Sequence, residues 1–505
     1  MTQIEWRLGS NAYYLRDLLQ AWCMYVPAKL LSKAVLLLGV LVAFDDSLAS
    51  DHTNVLLIIV DDLRTDIGVY GDSRANTPHI DALAQRGIVF DRAYAHQAIC
   101  APSRASLLTG LRPKTTGIRL LDQPVSELVP DVVTLNQAFK NAGYTTLSFG
   151  KVYHHPNDDF AGWSLPPVDY EPAMRRRLKE SGQPNPVIDI VALDQELPDR
   201  LNIERAREAL LSLSSSQTPF FMAVGTHKPH LPFRMPQTAW DATPIKRPIA
   251  QQVQRPPRGA PVWSLVAYEI WNYDDLPEKP GPITLTQAQK LRRAYAASVS
   301  YVDTLIGDLL QTLDETGLSD DTLIVLWSDH GYKLGEYGAW SKHTTHEVDL
   351  KIPLIFAAPQ MARQGSRSSA IIETIDIYPT LLDLVGLQPP SHLEGASFDS
   401  IVAHQVGDGK KAAYSEITRW VSGEKLFGQS VRNDHFRYTA WVSASSGNLV
   451  AAELYDHRTE LFPTANIADD PEFASVLDSL ETLRSRHWGT AEVVSLARGL
   501  QAVSE

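Results

Sequence analysis

NVLLIIVDD, residues 54–62, decides how the rest of the chain is read. Six branched apolar residues follow one another without a polar break, and two aspartates end the run. A strand with one wet face alternates apolar and polar. An unbroken apolar run of this length fits a strand covered on both faces, as in a parallel sheet sandwiched by helices. The same alternation recurs downstream. "TPHIDALAQRGIVF" carries Thr77 as a helix N-cap, Pro78 at the first helical position and Gly87 at the stop. "TLNQAFKNAG" then reads as helix and "YTTLSFG" as strand; "IERAREALLSL" is helix and "PFFMAVG" strand. "LRRAYAASVSYVDTLIGDLLQTLDETG" is a long helix before the strand "DTLIVLWSD"; the strand "IPLIFAAP" and the helix "YPTLLDLVG" close the region. Strands alternating with helices predict an α/β fold with a mostly parallel central sheet covered by helices.

Past "GLQPPSHLEGASFDS" the character changes. "AAYSEI", "GQSVRNDHFRYTAWV" and "AAELYDH" read as shorter antiparallel strands, with a last helix near "FASVLDSLETLRSRH". The expected organisation is a catalytic region over 51–404 and a smaller C-terminal α+β domain over 405–505. Residues 235 to 285, rich in proline, interrupt the α/β pattern, which resumes after them. They are expected to form a long surface excursion bordering the site.

The chain has 505 residues and a formal charge of −13, which argues against nucleic acid or an anionic membrane as partner. An anionic substrate would need a local positive island. The first fifty residues read as a secretory signal peptide: Lys29 and Lys33, an apolar run from Ala34 to Phe44 too short to span a bilayer, then Ala49 and Ser50. A start at Met24 would give a more usual leading segment. Cleavage near Ser50 removes four basic and four acidic residues, leaving the charge at −13, and also removes Cys23. The expected product is secreted or periplasmic, holds no stable membrane association, and keeps one cysteine, Cys100.

Chemistry collects where the predicted strands end. Asp61 and Asp62 follow the first; Lys151, with His154 beyond it, follows another; His227, Lys228 and His230 follow a third; Asp329 and His330 follow a fourth. Open α/β sheets bind ligands outside the carboxyl ends of their strands. A strand-end Asp pair by itself is ordinary turn chemistry, but four strand ends loaded alike read as a site. Three carboxylates with little soft ligation suit a hard cation, Ca²⁺ or Mg²⁺.

"CAPSRASLLTG", residues 100–110, then resembles the signature of the formylglycine-dependent (type I) sulfatases, Cys-x-Pro-Ser-Arg followed by Thr-Gly. "NVLLIIVDDLR", "GKVYHH", "GTHKPHLPFR", "ASVSYVDTLIGDLL", "SDHGYKLGEYGAWSKHTTHE" and "SVRNDHFRYTAWV" extend the resemblance, toward the iduronate-2-sulfatase branch, from about 52 to 460. His330, where most of that family has Asn, is shared with this branch. The resemblance implies the alkaline-phosphatase/sulfatase-like fold, a calcium ion on Asp61, Asp62, Asp329, His330 and residue 100, and oxidation of Cys100 to formylglycine before folding. A maturation enzyme reading Pro102 and Arg104 would carry out that oxidation. It implies catalytic roles for Cys100, Arg104, Lys151, His154, His227 and Lys342: Arg104 holding the diol, the two lysines the sulfate, His154 the base and His227 the acid at the leaving oxygen. In the hydrated aldehyde one hydroxyl attacks sulfur and the other, on losing its proton, expels sulfate, splitting one hard step into two. The expected substrate is a sulfated carbohydrate, with the 2-O-sulfate of a uronic acid as the favoured case. A phosphodiester or phosphonate monoester hydrolase of the same superfamily is the competing expectation. Thr345, His346 and Glu347, which follow Lys342, are candidates for a sugar subsite, whereas His155 and His230 read as structural.

Overall fold

The computed structural model describes residues 53–493 except 156–157, 245–250, 267–268, 277–282, 359–360 and 362–363. The signal-like run Ala34–Phe44 and Cys23 lie outside them. The strands are β1 (Asn54–Asp61), β2 (Ile88–Tyr94), β3 (Thr145–Gly150), β4 (Ile188–Val191) and β5 (Phe220–Pro229). Next come β6 (Phe233–Pro236), β7 (Thr322–Ser328), β8 (Lys351–Ile352), β9 (Leu354–Ala357) and β10 (Ser366–Glu373). The last are β11 (Ala413–Val421), β12 (Glu424–Arg432), β13 (Phe436–Ser443), β14 (Asn448–Asp456) and β15 (Glu492–Val493).

The central sheet has the order β10-β2-β9-β7-β1-β5-β3, with β8 on β2. β1 pairs in parallel with β5 and β7, β3 with β5, and β10 with β2; β9 runs antiparallel between β7 and β2. The mostly parallel α/β sheet expected from NVLLIIVDD is therefore present. Every residue of β1 is buried. Leu56, Ile58 and Val60 pack on one side with the 31-residue helix Leu285–Glu315; Val55, Leu57 and Ile59 pack on the other with Leu107, Leu108 and Leu381. Strand alternation divides the residues between two dry layers, which is why all of them are apolar.

Two long strands of the central sheet escaped the sequence reading, besides the short β4, β6 and β15. Ile88–Tyr94 followed a helix too closely to be separated from it. Ser366–Glu373 sits at the sheet edge, where its first half is polar and part exposed, so no apolar run marks it. Thr77 precedes the helix Pro78–Gln85 as expected, yet its side chain does not cap it; Thr77 Oγ1 instead accepts from Gly68 N at 3.0 Å.

β11 to β14 form an antiparallel meander, joined by β15, with the helix Ala474–Trp488 on one face. The described residues fall in one compact unit. The meander is tied to the central sheet where Glu416 N donates to His96 O at 2.7 Å and Ser415 Oγ to Ala95 O at 2.7 Å. Among the described residues no helix is long and apolar enough to cross a membrane.

Register brings the strand ends level. Val60 lies beside Ser328 and Thr226, and Gly150 beside Gly225. The glycine pair sets Lys151. Gly150 has φ +70°, and a Cβ on Gly225 would stand 1.9 Å from Lys151 O. Backbone cannot yield as a side-chain tip can. Gly225→Ala is expected to cost about 1–3 kcal/mol by overpacking and to move Lys151, lowering both Tm and kcat/KM. Unchanged values of both would show that the close approach does not position the lysine.

Candidate active site

The helix Cys100–Thr109 is buried along its whole length and puts Cys100 at its first position, facing the strand ends. Its first-turn N–H groups make that end partly positive. Asp61, Cys100, Asp329 and His330 bring their ligand atoms within 4.8 Å of one another, and so do Asp62, Cys100 and His230. His330 Nε2 is 3.4 Å from Cys100 Sγ, and its Nδ1 is 3.1 Å from Asp62 Oδ1. Asp62 has φ 62°, a left-handed turn that aspartate tolerates better than most residues, and it is what lets both consecutive carboxylates serve one site.

Arg104, one turn along the helix, is enclosed by these groups. Its Nε donates to Asp329 Oδ2 at 2.8 Å and its Nη1 to the carbonyls of Lys151 and Val152. Nη2 lies 3.3 Å from Asp61 Oδ1, yet neither atom makes a hydrogen bond. Lys151 Nζ donates to Asp61 Oδ2; Lys342 Nζ donates to both Asp62 oxygens at 2.8 and 3.0 Å. The two lysines are only 6% and 2% exposed, which removes the reading of either as a solvated surface lysine. Burial would push the Asp61 carboxyl up, but Lys151, His230, Arg104 and Lys342 outweigh it and hold the group well below the usual carboxylate range. Burial likewise disfavours the charge on Lys342, and Asp62 overrides it. Asp61, Asp62 and three cations are thus kept ionised in a dry pocket, while at Asp329 burial outweighs Arg104 and pushes the carboxyl up.

The donor set fits a hard divalent cation. Asp61 Oδ1 is buried without a hydrogen bond, and charged carboxylate oxygens of two strand ends converge beside it.

The histidines sort differently from the sequence reading. His154 Nδ1 is buried without a partner, and burial, reinforced by Lys151, pushes its pKa down to about 3. His227 Nε2 is engaged by both oxygens of Asp169 at 3.0 Å, and its backbone N donates to Asp199. His230, read as structural, joins His330 at the Asp62–Cys100 cluster, with its Nδ1 donating to Leu231 O at 2.7 Å. Glu269, which no sequence signal marked, comes from the proline-rich excursion. Its Oε1 is 3.3 Å from Lys342 Nζ and 3.8 Å from His230 Nε2. That excursion does border the site.

The proposed sugar subsite after Lys342 is not free. Glu347 is held by Arg432 and Arg437 at 2.8 Å and by Tyr94 at 3.0 Å, and Thr345 bonds Thr439 at 3.0 Å. His346 N bonds Thr344 Oγ1 at 3.2 Å. Thr345 and Glu347 anchor the C-terminal meander, because a buried carboxylate is stable only when its lone pairs are filled.

With the geometry in place, comparison with known proteins is specific. The sulfatase family model matches residues 53–387, and the model for the N-sulphoglucosamine sulphohydrolase C-terminal region matches 335–487. Iduronate 2-sulfatase of Homo sapiens is 33% identical over 82% of this chain and 89% of its own. A sulfatase of Formosa agariphila is 31% identical over 86% of each chain. The crystal structure of a phosphonate monoester hydrolase of Agrobacterium radiobacter superposes with a TM-score of 0.72 at 24% identity, covering 86% of this chain and 96% of that one. At that identity the likeness speaks for the fold.

If Lys151 and Lys342 hold the oxygens of a bound oxyanion, Lys151→Met and Lys342→Met should each lower kcat/KM about a hundredfold or more, by analogy with oxyanion-hole deletions. Circular dichroism should still show a folded chain. Near-normal turnover by either variant would remove that lysine from the site.

Proposed function

Because the chain belongs to the sulfatase family, enzymes that hydrolyse sulfuric esters, we propose that it is an exported sulfatase of sulfated sugars. Its nucleophile would be formylglycine made from Cys100, beside a calcium or magnesium ion on Asp61, Asp62, Asp329, His330 and residue 100. The observation that carries this reading is the position of Cys100: a buried thiol at a helix N-terminus, within one 4.8 Å cluster of Asp61, Asp329 and His330. A catalytic thiol would give a thiosulfate that is hard to release, whereas a hydrated aldehyde supplies one hydroxyl to attack and another to expel sulfate.

Burial also supports modification ahead of folding. Cys100 is 2% and Arg104 1% exposed, so a maturation enzyme that reads Cys-x-Pro-Ser-Arg must meet the unfolded chain. Once folded, Arg104 spends Nε and Nη1 on the protein and has only Nη2 to offer the modified residue.

A bound divalent cation supplies Lewis acidity toward a sulfate oxygen and lowers the pKa of the nucleophilic hydroxyl. The chain's own residues do the rest. Lys151 and Lys342 would hold sulfate oxygens by charge-assisted hydrogen bonds, in a pocket dry enough to make each count. His154, kept neutral by its surroundings, would take the proton that releases sulfate. The donor role at the leaving oxygen stays with His227, whose Nδ1 is buried without a partner while Asp169 fixes Nε2. His230, whose Nδ1 proton goes to Leu231 O and which burial holds neutral, would help shape the pocket around residue 100 instead.

The sugar is proposed as a terminal uronic acid 2-O-sulfate, on the strength of the similarity to iduronate 2-sulfatase. Export is proposed from the charged, apolar and small-residue order of the first fifty residues, and a smaller C-terminal domain over 405–505 from the change in strand pattern there.

The test is sulfate release from a panel of sulfated disaccharides, run beside an aryl sulfate and an aryl phosphodiester. Fastest turnover of a 2-O-sulfated uronic acid is expected. A kcat/KM higher for the phosphodiester than for every sulfate would overturn the reading in favour of the phospho-hydrolase alternative.

A further inference from the structure

The helix Glu171–Ser181, EPAMRRRLKES, sits beside the site and has two unlike faces. Glu171 is buried, and Met174 and Leu178 are half-buried, one turn apart on the inner side. Met174 packs against the core, and its Sδ accepts from Arg234 Nη1 at 3.5 Å. Arg175, Arg176, Arg177 and Lys179 are exposed and share the rest of the circumference. At 100° per residue Arg176, Arg177 and Lys179 spread over about 160° of the outward face, with the exposed Glu180 between Arg176 and Arg177.

Arg175 is tied to Glu171 Oε1 at 2.8 Å. The side chains of Arg176, Arg177 and Lys179 have no ion-pair or hydrogen-bond partner among the described residues. Three unpaired cations on one helix are unexpected in a chain of net charge −13, where acidic partners abound.

Their place matters as much as their number. Glu171 N donates to Asp169 Oδ1 at 3.1 Å, and Asp169 holds the ring of His227. The helix therefore starts two residues after a carboxylate of the site's own wall. Burial disfavours the charge on Arg175, but Glu171 first and Asp61 among the further contributors favour it, which sets this end of the helix within electrostatic reach of the catalytic cluster.

We propose that the outward face of Glu171–Ser181 is a docking surface for the polyanionic chain that carries the cleaved sulfate: an extended sulfated glycan whose neighbouring sulfates and carboxylates lie along Arg176, Arg177 and Lys179. This rests on the sulfatase reading above and adds a substrate size to it. Sulfates on successive sugars recur along the chain, so a cationic helix face meets several at once, while a single sulfated sugar meets none. Clustered like charge also raises the local concentration of an oppositely charged substrate, an effect that salt removes.

The experiment compares wild type with the triple variant Arg176→Gln, Arg177→Gln, Lys179→Gln, on a sulfated disaccharide and on an octasaccharide of the same repeat. Each is measured at low and high salt, about 30 and 300 mM. Wild type is expected to prefer the octasaccharide in kcat/KM by about tenfold or more at low salt and to lose that preference at high salt. The variant should lose it at both, through KM, with disaccharide turnover unchanged. Equal kinetics on the two lengths in wild type, or a length preference that survives the triple change, would overturn the proposal. So would a variant that keeps its octasaccharide kinetics but loses binding to phosphatidylserine vesicles or to duplex DNA, since the face would then serve a different anion. Disaccharide turnover in wild type tests the sulfatase reading separately, because among the described residues Arg176, Arg177 and Lys179 make no hydrogen bond or ion pair with the catalytic cluster.

Discussion

A single guanidinium ties the active edge together. Arg104 reaches from the helix Cys100–Thr109 to Asp329 after β7, to Asp61 at the end of β1, and to the carbonyls of Lys151 and Val152 after β3. Three strand ends and the helix that presents Cys100 are thereby locked to one planar group. Arginine suits this because its donors are fixed in a fork and its charge is never lost. The arrangement is demanding, since breaking one partner of a buried ion pair generally costs about 3–5 kcal/mol. The same tight geometry that gives the site its reach makes it intolerant of substitution.

Charge balance follows from that constraint. Asp61, Asp62 and Asp329 would be untenable together in a dry pocket, yet Arg104, Lys151 and Lys342 stand opposite them within 3.3 Å. The positive island that an acidic chain needs for an anionic substrate is thus made from residues that also stabilise the fold. The outward face of Glu171–Ser181 extends it toward solvent with cations that have no such second duty.

Much of this was legible in the sequence because strand-end residues are marked by what precedes them. The apolar runs before Asp61, Lys151, His227 and Asp329 announced both the sheet and the edge on which chemistry would gather. What could not be read has a physical cause in each instance. Placing His230 beside Cys100 needed the local backbone path, since in an irregular strand end three residues decide which ring meets which carboxylate. Glu269 lies on an excursion whose sequence has no period to project, and only its contact with Lys342 places it. Thr345 and Glu347 follow Lys342 in sequence but are turned away, Thr345 by Thr439 and Glu347 by the arginines of β12 and β13, which lie some ninety residues on.

The account turns on what residue 100 has become in the working enzyme. Mass spectrometry of the peptide spanning residue 100, taken from a preparation whose sulfatase activity has been titrated, tests this most directly. The account predicts an aldehyde in place of the thiol, in a fraction that rises and falls with specific activity across preparations made with and without a maturation enzyme. Full activity with an unmodified Cys100 thiol would contradict it.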